Sequence, residues 1–316
     1  MTELSVAVPC YNESEGLPEL YRRVSEVCRA SAGESYEIIL VNDGSIDDTW
    51  EAIRELASND RRLVGINLSR NHGHQLALTA ALAYCTGERI LILDADLQDP
   101  PELLPRMMQL MDEGADVVYG QRKSRAGESI LKRLSAAIFY RVLERLSDLP
   151  IPRDTGDFRL IHRRVLTVLQ SMPERQRFLR GMIAWTGFRH VPVAYDRAPR
   201  FAGTTKYPFR RMMALALDAI TSFSVRPLRV GLYLGMLLCL LAAILIVVTL
   251  VWWFVFTPFP GWTSLMIVFL IIGGIQTILL GLIGEYLSRL YLEAKGRPLF
   301  VISELINAEI GRERSV

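Results

Sequence analysis

The sequence predicts an α/β fold with a mostly parallel sheet, followed by two membrane-spanning helices. Up to about residue 120, short strand-like runs such as YEIILVND and RILILD alternate with helical stretches, a pattern typical of βαβ units. The runs are continuously apolar, as expected where helices cover both faces of a sheet. From Gly231 to Gly284 there is no Asp, Glu, Lys or Arg, although charged residues make up 22% of the chain. That block cannot be an ordinary pair of soluble helices.

Composition narrows the classes of function. The 316 residues carry a formal net charge of +2 without a basic run interleaved with aromatics, so nucleic-acid binding is not indicated. The four cysteines show no CxxC spacing, which favours neither a zinc site nor a disulfide framework. The N-terminus runs directly into TELSVAVP, so we expect no signal peptide and a cytoplasmic N-terminal domain.

The predicted elements follow in chain order. Strands are expected at LSVAVP, YEIILVND, LVGINLS, RILILD and DVVYG, which are short apolar runs bounded by turn signals. Helices fill the intervals: one through the teens and twenties, two from about Asp47 and His74, and one after Pro101, where proline suits the first helical turn. The later segments are a helix from about Ser129 to Leu146, the turn-rich PIPRDTGD, a helix around Phe178 to Trp185, and a strand near His190 to Tyr195.

The charge-free block contains two candidate spans. Gly231 to Phe256 and Thr263 to Gly284 are each long enough to cross a hydrocarbon core of about 30 Å. Arg226 and Arg229 precede the first span, and basic residues also follow the second span, whereas the connecting hairpin TPFPGW carries no charge. The start of the first span and the end of the second are therefore expected to face the cytoplasm. Before them, residues 208–225 repeat apolar side chains at helical spacing and predict an amphipathic helix, either on the membrane surface or packed on the preceding domain.

These patterns divide the chain into five parts. They are a cytoplasmic domain at residues 1–206, an amphipathic juxtamembrane helix at 207–229, membrane spans at 230–256 and 263–284, and a cytoplasmic tail at 285–316. The tail contains RPLFVISEL, a strand-like run that packs either on the domain or on a neighbouring subunit. Gly273 and Gly274 suit close helix packing, so a homo-oligomer is expected.

Two aspartates end the fourth predicted strand, in LILDADLQDPPE. In an extended segment, side chains two residues apart point to the same side, so Asp94 and Asp96 can reach one point outside the sheet. Two carboxylates that close repel unless a cation or a proton intervenes, and hard oxygen ligands suit Mg²⁺ or Mn²⁺. Gln98 can add an amide oxygen. The alternative is a turn with helix-capping acids, which is how we interpret Asp99 before Pro100.

Polar residues also follow the first two strands. Pro9, Tyr11 and Glu13 end the first strand, and Asp43 and Ser45 end the second. In such sheets ligands bind beyond the carboxyl ends of the strands, where an aromatic ring and a carboxylate can hold a base by stacking and by accepting an imide N–H. The alternative for NDGS is a turn and helix N-cap. No GxGxxG follows the first strand, which counts against a dinucleotide-binding oxidoreductase.

The order of motifs resembles that of family 2 glycosyltransferases, specifically the polyprenyl-phosphate branch. The motifs are VAVPCYNESEGLPEL, VNDGSIDDT, LSRNHG, LDADLQDPPE, TGDFRL and APRFAGTTKYPFR, and the likeness covers nearly the whole chain. The branch includes dolichol-phosphate mannose synthases and the more similar bactoprenol glucosyltransferases. The resemblance implies a nucleotide-sugar-binding fold of the GT-A kind, a UDP- or GDP-sugar donor, a divalent metal, and transfer to a lipid phosphate.

The resemblance also implies roles for individual residues. Nucleotide-sugar contacts fall on Pro9, Tyr11, Glu13, Asp43, Ser45, Arg70 and Asp94, and the metal site on Asp94, Asp96 and Gln98. Lipid-phosphate contacts fall on Arg122, Lys132, Arg133 and Lys206, and catalytic positions on Asp157, Asp96 and Arg200. Asp157 is left between a base, a sugar ligand and a positioning group. His72, His74, His162 and His190 match no family role, and we expect His72 and His74 to be solvated or structural.

The expected function is inverting transfer of a hexose, with glucose from UDP-glucose favoured, onto undecaprenyl or another polyprenyl phosphate at the inner membrane. Such lipid-linked sugars serve cell-surface glycan modification, as in lipopolysaccharide. Alternative donors are GDP-mannose, UDP-galactose and a UDP-aminoarabinose derivative. A processive polysaccharide synthase is less favoured because its (Q/R)xxRW signature is absent: RFLRG at residues 177–181 lacks the tryptophan. A non-catalytic scaffold is disfavoured by the intact aspartates.

Overall fold

The computed structural model describes residues 2–122, 155–175, 177–196 and 261–308, together with scattered positions between 231 and 251. They fall into two compact units. The first unit holds the described residues up to 196 and those from Arg297 onward. The second holds the remainder, which covers described residues of the predicted membrane spans and the first twelve residues of the predicted tail, 285–296.

A single eight-stranded sheet organises the first unit. Its strands are β1 (Leu4–Cys10), β2 (Tyr36–Asn42), β3 (Leu63–Leu68), β4 (Arg89–Ile92), β5 (Val117–Arg122), β6 (Thr155–His162), β7 (His190–Tyr195) and β8 (Ile302–Ile306). Their order is β7-β5-β6-β4-β1-β2-β3-β8. The β4-β1-β2-β3 block and the β5–β7 pair are parallel, whereas β6 and β8 run antiparallel to their neighbours. The predicted α/β class with a mostly parallel sheet is confirmed.

Helices connect the parallel strands, as βαβ units require. The described helices are α1 (Leu17–Ala32), α2 (Thr49–Asn59) and α3 (His74–Tyr84), which connect β1 to β4, then a 3₁₀ turn at Pro101–Leu103, α4 (Leu104–Asp112), α5 (Arg163–Ser171), α6 (Leu179–Trp185) and α7 (Trp262–Ala294). Every residue of β1 is buried, which follows from its position inside the sheet. α1 buries Leu17, Leu20, Val24 and Cys28 at spacings of three or four, the pattern of an amphipathic helix.

One central strand was not expected from the sequence. TGDFRLIH, at the end of the turn-rich PIPRDTGD, forms β6 between β4 and β5. Glycine and aspartate are depleted in strands, and here the charged side chains are buried because they have partners inside the fold. Nη2 of Arg159, for example, donates to the carbonyl oxygen of Gly156 at 2.9 Å. The helix α5 that follows was not predicted either.

The C-terminal tail joins the same sheet. β8 pairs antiparallel with β3, so RPLFVISEL packs on its own domain. Nε1 of Trp50 donates to Glu304 at 3.0 Å, and Nδ2 of Asn307 donates to the carbonyl oxygens of Ala57 at 2.8 Å and Leu63 at 2.9 Å. These contacts settle the choice that the sequence left open for the tail.

The second unit contains the long helix α7. Among the described residues, one helix is long and apolar enough to cross a membrane, over Ile271–Ala294. α7 contains the predicted span 263–284 and continues past Gly284 to Ala294, with a salt bridge of 2.8 Å between Glu285 and Arg289. The predicted tail therefore begins as helix. The predicted segments 207–229 and 230–256 lie mostly outside the described residues.

Candidate active site

The loops that follow β1 and β2 are hydrogen-bonded to each other at the carboxyl edge of the sheet. The backbone N–H of Asn12 donates to Oγ of Ser45 at 3.0 Å, and the N–H of Ile46 donates back to Oδ1 of Asn12 at 3.0 Å. Asn12 adopts a left-handed φ of 56°, which asparagine tolerates. The pairing leaves the side chain of Tyr11 46% exposed at this edge. Pro9 is buried within β1, and the N–H of Glu13 donates to Thr49 at 3.0 Å.

Asp43 is buried and holds the loop that follows β3. Its two oxygens accept the backbone N–H groups of His72 at 2.7 Å and Gly73 at 2.9 Å. Burial raises the pKa of Asp43 above its ordinary value, and those two N–H donors oppose the rise. Gly44 has a φ of 63°, and a Cβ there would lie 2.5 Å from the backbone of Arg70. The backbone of the Arg70 loop therefore packs directly against Gly44, in the turn after β2.

The DADLQ segment leaves the strand conformation before its aspartates. β4 ends at Ile92, and Leu97 has a φ of 58° with its side chain 6% exposed. Oδ1 of Asp96 accepts the N–H of Gln98 at 3.2 Å, which closes a tight turn. Strand alternation therefore does not place Asp94 and Asp96 as the sequence analysis assumed. The buried leucine anchors this unusual backbone, a form of strain that concentrates at functional sites.

Asp94 is a partly buried carboxylate whose side chain is 24% exposed and one of whose oxygens is enclosed. Its Oδ1 is inaccessible, forms no hydrogen bond within the described part of the chain, and lies 3.4 Å from Nε2 of His74. Loss of solvation raises the pKa of Asp94 to about 6; His74 opposes the rise, and the charges of Asp157, Asp99 and Asp96 add to it. This is an anionic group whose environment favours a bound cation or a proton.

Asp157, on β6, differs from Asp94 because it is buried and both of its oxygens accept hydrogen bonds. It is 3% exposed, and its oxygens receive Nε of Arg180 at 2.6 Å, Nη2 of Arg180 at 3.1 Å and Nε2 of Gln75 at 3.2 Å. Nε2 of His74 lies 3.1 Å from the same carboxylate. Burial alone would raise the pKa of Asp157, but the hydrogen bond from His74 and the Arg180 guanidinium hold it well below its usual range.

His74 joins the two carboxylates. It begins α3, is 44% exposed on its side chain, and reaches both Asp94 and Asp157 through Nε2. Burial would lower the pKa of His74, but the hydrogen bond to Asp157 and the charge of Asp94 raise it overall. Sequence reasoning set His74 aside, although its place at the helix start after a strand put it at the carboxyl edge.

Three side chains at this edge of the sheet lie close enough together to hold a metal ion. Ligand atoms of His74, Asp94 and Asp157 all lie within 4.8 Å of one another. Asp157 already accepts hydrogen bonds from Arg180 and Gln75, so a cation there would displace existing donors. The buried Oδ1 of Asp94 has no such donor within the described residues and is the oxygen that a cation would satisfy. Asp94 therefore has the strongest structural support among the predicted metal ligands.

Arg180 was also missed as a site residue. It lies on α6 within RFLRG, the string that was compared with the (Q/R)xxRW signature and set aside for its missing tryptophan. Its guanidinium makes a two-pronged contact with Asp157. Such contacts have specific geometry as well as energy. The two arginines of RFLRG, three residues apart, were the feature of the sequence that could have identified Arg180 as a site residue.

Asp99 corrects another expectation. The residue that precedes the 3₁₀ turn is Pro100, without a side-chain cap, so Asp99 is not the N-cap. Its carboxylate is instead fully buried and accepts the hydroxyl of Tyr195. Arg122 ends β5 half-buried, with its Nε enclosed and without a hydrogen-bond partner among the described residues. The other predicted phosphate-side residues, Lys132, Arg133, Arg200 and Lys206, lie outside the described residues.

The comparison with protein families gives two matches. Residues 5–169 match the model described as glycosyl transferase family 2. Residues 226–290 match the model described as the GtrB C-terminal hairpin. The first match includes the β1, β2 and β4 ends and Asp157, so the site described above lies inside it, except for Arg180.

Curated relatives extend over nearly the whole chain. An uncharacterized glycosyltransferase of Synechocystis is 44% identical, over 97% of this chain and 96% of its own. The uncharacterized glycosyltransferase YkcC of Bacillus subtilis is 42% identical, over 97% and 95%. A prophage-derived bactoprenol glucosyl transferase of Shigella flexneri is 38% identical, over 96% and 98%. The chain belongs to glycosyl transferase family 2 and is a glycosyltransferase.

Proposed function

We propose that the protein transfers a hexose from a nucleoside diphosphate sugar to a polyprenyl phosphate, with inversion at the anomeric carbon. UDP-glucose is the favoured donor and undecaprenyl phosphate the favoured acceptor. The observation that carries the proposal is the enclosed Oδ1 of Asp94, which forms no hydrogen bond within the described residues and lies in a cluster with His74 and Asp157 at the carboxyl edge of the sheet. The near full-length likeness to a bactoprenol glucosyl transferase supports the acceptor class and the sugar.

The donor nucleotide is assigned to the joined loops after β1 and β2. Tyr11 offers an exposed aromatic face for the base, and Ser45 and Glu13 lie in the same pair of loops. Asp43 keeps acceptor capacity, since each carboxylate oxygen has a second lone pair beyond the N–H that it accepts. Arg70, carried on Gly44, supplies positive charge beside them. Pro9 contributes to the floor of this site.

The residues assigned to a divalent cation are Asp94, Asp96 and Gln98. When bound, Mg²⁺ or Mn²⁺ would neutralise the charge that develops on the departing diphosphate. The side chains that surround Asp94 prepare this site, because they leave one carboxylate oxygen buried without a donor.

The acceptor phosphate has to be held in position for attack, but it does not need a general base to deprotonate it. A phosphate monoester has a second pKa of about 6 and is largely a dianion near neutral pH. A general base works best with a pKa near the working pH, whereas the pKa of Asp157 lies well below its usual range. Asp157 is therefore assigned to positioning: it holds His74 and Arg180 around the reaction centre. Arg122, Lys132, Arg133 and Lys206 are assigned to the lipid phosphate, and Arg200 to the reaction centre.

In the bond-changing step, a phosphate oxygen of the acceptor forms a bond to the anomeric carbon as the bond to the donor diphosphate breaks. The nucleoside diphosphate departs with the bonding electrons. A single displacement of this kind inverts the configuration of the sugar. Arginine suits the acceptor contact because its planar fork matches phosphate oxygens.

The membrane arrangement is also a proposal. The match to the GtrB C-terminal hairpin over residues 226–290 supports two spans, at 230–256 and 263–284. The apolar spacing of residues 208–225 supports an amphipathic helix at 207–229 before them. The domain at 1–206 and the tail from 285 would then face the cytoplasm of the inner membrane, with the acceptor site at the headgroup plane. Among the described residues, no atom outside the adjoining turn of helix lies within 4 Å of a Cβ built on Gly273 or Gly274, which supports close helix packing in a homo-oligomer.

One experiment tests this function directly. The purified full-length protein is incubated with undecaprenyl phosphate, Mg²⁺ and a panel of UDP- and GDP-sugars, and lipid-linked sugar is measured by mass spectrometry. We expect a lipid-phosphate hexose with UDP-glucose and little product without the lipid. Extended polymer instead of a single transferred sugar would favour a polysaccharide synthase, and no product with any donor would refute the proposal.

A further inference from the structure

A buried hydrogen bond lies beside the end of β5. Tyr195, the last residue of β7, is 4% exposed and donates its hydroxyl to Asp99, which is 0% exposed. The Tyr195 ring packs edge-on against Phe158, with centroids 5.8 Å apart and an interplanar angle of 72°. A Cβ on Gly120 would lie 2.8 Å from a Tyr195 ring carbon, so the glycine makes room for the ring. Packing therefore fixes the position of the hydroxyl.

Arg122 lies next to this pair. The parallel register of β5 and β7 places Arg122 opposite Tyr195. A Cβ on Gly156 would lie 3.1 Å from Nη2 of Arg122 and 3.9 Å from Oδ2 of Asp99. The guanidinium and the carboxylate thus share the bare side of Gly156. Burial and Asp99 raise the pKa of Tyr195 to about 12, and a hydrogen bond from Arg122 acts in the opposite direction.

The three groups complement each other chemically. A fully buried carboxylate is costly unless it is hydrogen-bonded and its charge is compensated. A tyrosine hydroxyl can donate to a carboxylate and accept from a guanidinium at the same time. Holding one edge of the guanidinium in this way orients the rest of its five N–H donors, which suit a phosphate.

We propose that Tyr195 and Asp99 are positioning residues that aim the Arg122 guanidinium at the phosphate of the lipid acceptor. The inference rests on the proposed function. It assigns the end of β7 and the residue that follows the DADLQ turn to acceptor recognition, whereas Asp94 serves the donor side. Neither residue touches the acceptor in this arrangement, and both act through Arg122.

The test is a Tyr195→Phe variant of the full-length protein, which keeps the ring packing and removes one oxygen. Loss of one hydrogen bond in a charged network corresponds to about a tenfold change. We expect KM for undecaprenyl phosphate to rise about tenfold, while kcat and KM for the nucleotide sugar change less than twofold. Tyr36→Phe is the matched control. Tyr36 is also buried, but it begins β2 at the opposite edge of the sheet, and its variant should match the wild type.

A double-mutant cycle makes the test specific. In an Arg122→Ala background, Tyr195→Phe should add little to the acceptor KM, because the residue that it positions is gone. Additive effects, or equal increases in both KM values, would overturn the positioning role. If Tyr195→Phe loses its cooperative thermal transition, Asp99→Asn replaces it with the same expected selectivity for the acceptor. A wild-type protein that forms no lipid-linked sugar would overturn the proposed function and this inference with it. An active wild type with an unchanged variant would overturn this inference alone.

Discussion

The segment after β4 brings a partly buried aspartate, Asp94, beside the buried Asp157 of β6, and their surroundings shift the two pKa values in opposite directions. Ligand atoms of Asp94 and Asp157 lie within 4.8 Å of each other. Burial raises the pKa of Asp94 to about 6, whereas donors hold the pKa of Asp157 below its usual range. The difference arises because Arg180 and Gln75 donate hydrogen bonds to Asp157. Neighbouring carboxylates with divergent pKa values have divergent roles.

The comparison separates a carboxylate prepared for an incoming ligand from one that is already part of the protein framework. Asp94 has a buried oxygen without a donor within the described chain. Asp157 links α3, β6 and α6 through Gln75, His74 and Arg180. Substitutions should therefore affect activity and stability differently at the two positions.

The largest expected effect is on activity at Asp94. Asp94→Asn removes the charge assigned to the cation and donor diphosphate, and we expect turnover to fall by about a thousandfold or more. The metal-free variant should be at least as stable as the wild type, because a buried, poorly solvated charge is gone. Lipid-linked sugar formation and thermal unfolding measure the two quantities. Asp112→Asn, at an exposed carboxylate paired with Arg89, is the control and should change neither. Turnover within tenfold of the wild type would remove Asp94 from the site.

Substitution of Asp157 should destabilise the folded protein, unlike substitution of Asp94. Asp157→Asn leaves the partly buried Arg180 without its carboxylate, and breaking a buried pair costs about 3 kcal/mol. Chemical unfolding of the metal-free protein measures this loss. An Asp157→Asn protein as stable as Asp94→Asn would contradict the distinction between the two sites.

The stability of the folded protein should depend on pH differently through Asp94 and through Asp157. An unfolded aspartate has a pKa of about 3.9, so a folded pKa of about 6 at Asp94 destabilises the folded protein increasingly as the pH rises from about 4 through 6. In metal-free protein, the gain from Asp94→Asn should grow by about 1 kcal/mol between pH 5 and pH 7.5, after allowance for a quarter-exposed side chain.

For Asp157 the sign is opposite. Its folded pKa lies below the unfolded one, so its contribution is present above about pH 4 and is lost only as the pH falls further. In a His74→Gln background, which removes the histidine whose pKa Asp157 raises, the loss caused by Asp157→Asn should stay constant between pH 5 and pH 7.5. Unfolding curves at both pH values, in chelator, measure the difference. A shared pH slope for the two variants would contradict the assignment.

The smallest expected effect is at Gln75. Its Nε2 donates to Asp157 at 3.2 Å and its Oε1 accepts the N–H of Leu179 at 3.0 Å. Gln75→Met keeps the length of the side chain and removes both hydrogen bonds, which should cost about 1 kcal/mol or slightly more. The stability of Asp94→Asn should fall by the same amount when Gln75→Met is added, because no hydrogen bond joins Gln75 to Asp94 within the described residues. Strong coupling would show that the two carboxylates form one network.

Much of the fold could be predicted because it is local in the sequence. The first five strands and four helices are apolar runs with clear turn signals, and the polar ends of β1, β2 and β4 identified the edge where the site lies. β6 could not be predicted because Asp157 and Arg159 make it look like a loop. Its burial depends on partners such as Arg180, twenty-three positions further along.

By itself, the sequence determined the α/β class, the polar strand ends and the apolar C-terminal region, because these depend on composition and short-range periodicity. Only the tertiary structure decided which groups meet. The antiparallel register of β4 and β6 pairs Ile92 with Arg159 and so brings Asp157 beside Asp94. The start of α3 adds His74, and α6 adds Arg180. The two aspartates differ because charge and hydrogen bonding act through space, between residues whose separation along the chain carries no signal.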